Sequence, residues 1–119
     1  MKLFDLYHKG VLHKIQLEAS FYEENGNLSI RMIEWEGGIP AGPWSVLTIN
    51  LSIKCQKDRA YIDVYRNGNE ILMFIAENRL AFPTGNIFAG YPEYQFDHEL
   101  LKEIGMIGHV RTLYYNYNC

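Results

Sequence analysis

The sequence predicts an α+β domain: an antiparallel β-meander of about five or six strands with one or two short helices. Three observations carry this. Val11–Phe21 alternates apolar and polar residues, as a strand with one buried and one wet face does. Asn25-Gly26 and Asn67-Gly68 are Asn-Gly turn signals. Asp97 precedes a short amphipathic run over residues 98–104, and Gly105 ends it.

The elements follow in order. Lys2–His8 reads as a first strand, and Lys9-Gly10 as a tight turn. In Val11–Phe21 the odd positions Val11, His13, Ile15, Leu17, Ala19 and Phe21 share one face. Residues 23–27 turn the chain, and Leu28–Trp35 returns with Leu28, Ile30 and Met32 inward. Residues 37–43, GGIPAGP, are expected to break the ladder, because proline lacks a donor and glycine adds freedom. Trp44–Lys54 is the next strand, with Leu47, Ile49, Leu51 and Ile53 on one face. Ala60–Tyr65 follows, and then the second Asn-Gly turn. Ile71–Leu80 fits a buried strand or a short helix equally. Ala81–Gly105 mixes Gly, Pro, Phe and Tyr without a clean period and is expected to be an irregular aromatic segment closing on a helix. In that helix Leu100, Leu101 and Ile104 face the core, with Glu99 and Glu103 outside. Met106–Tyr117 reads as a final strand or extended tail.

Composition sets the bounds. The chain has 119 residues, 48% hydrophobic and 21% charged, which suits a single domain over residues 1–119 with one core. It has no apolar run of membrane-spanning length. Asp5 interrupts the N-terminal apolar stretch, against a signal peptide, so a cytoplasmic location is expected. On that reading the sequons at Asn27 and Asn50 carry no glycan. Cys55 and Cys119 then read as free thiols. A net charge of −3 argues against nonspecific binding to duplex nucleic acid. Nine tyrosines are many for so short a chain, and Tyr is favoured at interfaces.

No catalytic signature stands out. His8, His13, His98 and His109 show no metal-ligand spacing with one another or with cysteine. His8 and His13 straddle a turn and could meet across it. Cys55 lies in Lys54-Cys55-Gln56-Lys57, where the lysines would lower a thiol pKa, but no nucleophile elbow surrounds it. Asp58 with Asp63, and Glu93 with Asp97 and Glu99, are the available carboxylate pairs. Acid–base work would need one of them raised by burial, while the plain reading is a solvated helix face and a cap. Residues 85–90, GNIFAG, lack the GK[ST] of a phosphate loop. No cofactor and no metal are expected.

The aromatic set is the remaining signal: Phe82, Phe88, Tyr91, Tyr94 and Phe96, with Tyr114, Tyr115 and Tyr117 at the end. Stacking on single-stranded nucleic acid wants rings interleaved with Arg and Lys. Ala81–Gly105 holds only Lys102, against Glu93, Asp97, Glu99 and Glu103. Such a surface suits a basic protein partner. The alternative is that the rings pack on the sheet and cover its edge, and tyrosines serve either role.

The strand Leu47-Thr48-Ile49-Asn50-Leu51, the strand Ala60-Tyr61-Ile62-Asp63-Val64 and Gly90-Tyr91-Pro92-Glu93-Tyr94-Gln95-Phe96 after Gly85-Asn86 also carry a resemblance. From Trp44 to about Leu101 the chain resembles an uncharacterised family of small domains carried by conjugative elements, plasmids and phages. The resemblance covers about half the chain and implies no catalytic residues. It implies a context in which small acidic accessory proteins antagonise host defence, as anti-CRISPR or antirestriction inhibitors do.

The expectation is therefore a non-enzymatic protein-binding module that inhibits a bacterial defence effector. Its contact residues would be Phe88, Tyr91, Glu93, Tyr94, Asp97 and Glu99, aromatics anchoring and carboxylates steering. The partner would be a protein, one that itself binds nucleic acid, with no membrane or direct nucleic-acid contact. The competing class is a small-ligand or hydrolytic domain with a pocket under residues 81–105 and Asp63, His98 or Glu93 as titrating groups. A third class is a homodimer joined through a sheet edge.

Overall fold

The computed structural model describes residues 2–110. Among them the chain forms β1 (Phe4–His8), β2 (Val11–Tyr22), β3 (Leu28–Glu36), β4 (Ile39–Val46), β5 (Thr48–Ile49) and β6 (Arg59–Ile62). Two helices follow, α1 (Val64–Asn67) and α2 (Ile71–Glu77), then β7 (Ala81–Phe88), β8 (Tyr91–Phe96), α3 (His98–Ile104) and β9 (Met106–Val110). This is an α+β fold with more strands than expected, arranged in two sheets.

The first sheet runs β1-β2-β3-β4, and its hairpins are antiparallel. Lys9 and Gly10 both take positive φ, the geometry of a two-residue turn that matches strand twist. The alternation of β2 holds through Ile15, Leu17 and Ala19, all buried. It then fails: Phe21 is exposed and Tyr22 buried. At that point β2 exchanges β1 for β9 as its neighbour, and the ladder to β9 is irregular between Ala19 and Phe21. β9 pairs parallel to β2, so the fold is not a pure antiparallel meander. The rest of the expected C-terminal strand, with Tyr114, Tyr115 and Tyr117, lies outside the described residues.

Residues 37–43 do not break the ladder as expected. Gly37 and Gly38 make the turn, and residues 39–46 form β4 despite Pro40 and Pro43. β4 is the sheet edge, where a residue without an N–H is tolerated because only one side of the strand is paired. Two register shifts opposite the prolines absorb the misfit.

The expected strand from Trp44 to Lys54 also divides. The chain leaves the first sheet at Val46, and β5 begins the second, ordered β5-β6-β8-β7. Leu47 ties the two together, donating its N–H to Ile30 O and accepting from Asp63 N–H. Asn67-Gly68 is a helix stop rather than a hairpin turn: the Gly68 N–H caps α1 by bonding Val64 O, with φ of 80°. Ile71–Leu80 resolves as α2, which buries Ile71, Phe74 and Ile75. α3 is as expected, with the Asp97 carboxylate accepting from Leu100 N–H at 3.0 Å, and Leu100 and Leu101 buried.

One main core lies between the inward face of the first sheet, α2, α3 and one face of the second sheet. It gathers Ile15, Leu17, Ile30 and Met32 with Phe74, Ile75, Ile62 and Phe96. The opposite face of the second sheet carries a smaller cluster of Ile49, Leu51 and Tyr61, with Cys55 and Tyr91 packed on it.

Candidate functional site

The aromatic segment is a hairpin, not an irregular lid. β7 and β8 pair from Ala81↔Phe96 to Phe88↔Tyr91, and Ala89-Gly90 make the turn with positive φ at both residues. Its strand period is hidden because both faces of β8 bear aromatic rings. Tyr94 and Phe96 point into the main core, while Tyr91 and Glu93 point to the outer face.

A bulge shapes that outer face. Between Pro83 and Ile87 the register slips, so residues 84–86 stand opposite Glu93 alone. The extra length wraps the carboxylate. Glu93 Oε1 accepts from the Thr84 hydroxyl at 2.7 Å and from Asn86 Nδ2 at 2.9 Å, and Arg59 Nη1 lies 3.7 Å away. Arg59 is held in turn by Gln95, its Nε donating to Oε1 at 2.9 Å. Glu93 is buried, and its Oε1 takes all three contacts.

Four rings surround the hairpin tip. Tyr65 and Tyr91 meet edge to face, with centroids 4.8 Å apart, and Tyr61 lies 6.4 Å from Phe88. Tyr61 and Tyr91 both have raised pKa values, through burial first; Glu93 adds to the rise at Tyr61 and Asp63 to that at Tyr91. β7 is the edge strand of this sheet and carries no charge. Its Phe82 and Ile87 are 61% and 70% exposed, and Phe88 is 42% exposed.

The six expected contact residues thus part company. Phe88 and Tyr91 stand together at the tip. Asp97 and Glu99 are exposed at the far end of β8. Glu93 is buried in the bulge, and Tyr94, only 9% exposed, belongs to the core. These last two are placed as structural groups rather than contact groups. Alternation in YPEYQF, read strictly, separates Tyr91 from Tyr94; the burial of Glu93 needs the bulge. Three exposed residues outside the expected six, Tyr65, Phe82 and Ile87, join the surface instead; Phe82 belongs to the aromatic set singled out in sequence, and Tyr65 and Ile87 do not.

The titrating groups of the competing class, Asp63, His98 or Glu93, lie in separate places. Asp63 is buried as the cap of α1, accepting from Arg66 N–H at 3.1 Å and pairing with its guanidinium at 3.3 Å. His98 faces Asp58 at 3.3 Å. Burial, with Glu93 second, pushes the Cys55 thiol up to about 11 against the pull of Lys54. That is the reverse of an activated nucleophile. His8 and His13 do approach, at 6.4 Å between rings, but Trp44 packs on both and Glu34 holds His13 Nδ1 at 2.6 Å. Among the described residues no group of three His, Cys, Asp or Glu is placed to hold a metal ion, and no helix is long and apolar enough to cross a membrane.

Asn27 and Asn50, the two sequon asparagines, are buried and bonded to each other, Asn27 Nδ2 donating to Asn50 Oδ1 at 3.2 Å. Neither amide is presented for a glycan in this fold.

The architecture is that of a small two-sheet α+β domain with one exposed aromatic hairpin. The chain belongs to a family described as a domain of unknown function, DUF4313, whose model matches residues 16–112. No curated protein and no solved structure matches the chain.

Proposed function

We propose that this chain is a non-enzymatic protein-binding module whose docking surface is the β7 edge and the β7–β8 tip. The observation that carries the reading is an uncharged edge strand with Phe82, Ile87 and Phe88 exposed, beside Tyr65 and Tyr91. Exposed, uncharged, apolar edges favour pairing with another chain, and most proteins blunt them. The partner is a protein with a cationic surface. From residue 80 to residue 101 the chain has no Lys or Arg, and Asp97 and Glu99 stand exposed past the Phe82 end of the same hairpin. Rim carboxylates of this kind steer a basic partner while the rings anchor it. A cationic groove that normally holds nucleic acid fits that description. On this reading the chain inhibits a bacterial defence effector, the context that its resemblance to mobile-element proteins implies.

The test is functional. Cells with active CRISPR interference or restriction are transformed with a targeted plasmid, with and without the protein. Rescue of transformation by wild type, lost in Phe82→Asp/Phe88→Asp with unchanged thermal stability, supports the reading. No rescue across several effector classes, or rescue that the double variant retains, refutes it.

A further inference from the structure

A cavity of about 590 Å³ opens between the end of the β2–β3 hairpin, residues 54–58, α3 and the start of β9. It lies toward the far end of β8 from the aromatic tip, since Asp58 on its wall accepts the Phe96 N–H. Its size falls within the about 300–1,000 Å³ usual for ligand pockets.

The lining divides by chemistry. Phe21, Leu28, Leu101 and Met106 give it an apolar floor. Lys54, Lys57 and Lys102 stand round it, three of the eleven Lys and Arg residues of a chain whose net charge is −3. The single carboxylate in the lining, Asp58, faces His98. Among the described residues neither Lys57 nor Lys102 has an ion-pair partner.

The wall is built before any ligand arrives. Asn27 Oδ1 accepts from Cys55 N–H at 2.9 Å, its Nδ2 donates to Ile53 O at 2.7 Å, and Lys54 Nζ donates to Asn25 O at 2.9 Å. These bonds pin the 54–58 loop to the β2–β3 turn. On the helix side, His98, Leu101, Lys102 and Gly105 recur at helical spacing, so α3 turns one continuous stripe toward the cavity.

We propose that this cavity binds a small amphipathic anion, an aliphatic carboxylate, with its chain on the apolar floor and its head group between Lys57 and Lys102. Apolar burial supplies the affinity, and the lysines select the sign of the charge. The site lies at the opposite end of β8 from the hairpin tip, beside Asp97 and Glu99, and its assignment does not depend on the docking surface.

Decanoate is the probe, titrated into the full chain while amide NMR shifts and the thermal midpoint are followed. The expected result is saturable shifts confined to Phe21, residues 26–28, 54–58 and 98–106, with a raised midpoint. Decyltrimethylammonium and decanol should bind about tenfold more weakly or worse. Lys57→Glu/Lys102→Glu should weaken decanoate by about tenfold or more, with little change in the midpoint of the free protein. Met106→Trp, which fills the floor, should also abolish the shifts. Absence of binding at decanoate on the order of 1 mM, equal binding of the cationic analogue, or unchanged affinity in the double lysine variant would each overturn the assignment.

Discussion

The Glu93 carboxylate and the Asn86 side-chain amide are bonded at 2.9 Å across a bulge that sets three residues of β7 against one of β8. The contact gives the bulge its reason: the slipped register delivers Asn86 and Thr84 to a buried acid that Arg59 alone, at 3.7 Å, would leave poorly paired. Glu93→Ala removes the acceptor shared by all three and is expected to cost about 2–4 kcal/mol. Asn86→Ala leaves two partners in place and should cost about 1 kcal/mol. Urea denaturation reads both. A Glu93→Ala change within about 0.5 kcal/mol of wild type would mean that the carboxylate is not structural.

Cys55 gives a chemical readout of the smaller cluster. Its thiol is raised from 9.0 to about 11, by burial and then by Glu93. In a Cys119→Ser variant at pH 9, alkylation by iodoacetamide should run about fiftyfold slower in the folded than in the denatured protein. The same shift sets a stability trend. Tyr22, Tyr61, Tyr91 and Tyr94 are also raised, each through burial first. The unfolded chain therefore releases these protons at lower pH than the folded one. The Cys55 contribution is fully present below about pH 9 and declines as pH rises toward 11, and that of the tyrosines begins to decline above about pH 10. A midpoint that stays flat or climbs across that range contradicts the burial of these groups.

Gly90 and Tyr65 limit each other. Gly90 has φ of 84°, and a Cβ there would run into the Tyr65 hydroxyl. Gly90→Ala should destabilise by about 1–2 kcal/mol, from left-handed strain and the clash together. Tyr65→Phe removes the obstructing hydroxyl, so the double variant should recover part of that loss. Strict additivity in the cycle would separate the two residues.

What could be read from sequence depended on whether a local rule had one meaning. Alternation through Ile15, Leu17 and Ala19 was legible because β2 has one buried face there. The Asp97 cap and Gly105 stop were legible because helix ends have few chemical solutions. Pro40 and Pro43 misled, since proline excludes a strand only from a sheet interior and edge position is a tertiary fact. Asn67-Gly68 serves a hairpin or a helix end equally until its neighbours are placed. The burial of Glu93 depends on a register slip that no single-residue preference encodes; a Gly flanked by Thr and Asn inside β7 was the only trace of it.

The two faces of β8 yield the sharpest separation of core from surface. Tyr94 packs with Phe96, Ile62 and Phe74 in the main core, so Tyr94→Ala opens a cavity there and should cost about 3–5 kcal/mol. Phe88 and Phe82 stay 42% and 61% exposed, outside both cores, so Phe88→Ala or Phe82→Ala should each cost far less than Tyr94→Ala, about 1 kcal/mol. Tyr91→Ala should fall between, because it strips the outer cluster of one partly buried ring and its edge-to-face contact with Tyr65. Any loss of partner binding in a Tyr91/Tyr94 double variant therefore mixes unfolding with loss of contact, whereas Phe82→Asp/Phe88→Asp reports the surface alone. Circular dichroism melts of the four single variants check the order, and a Phe88→Ala protein as unstable as Tyr94→Ala would return the hairpin tip to the core.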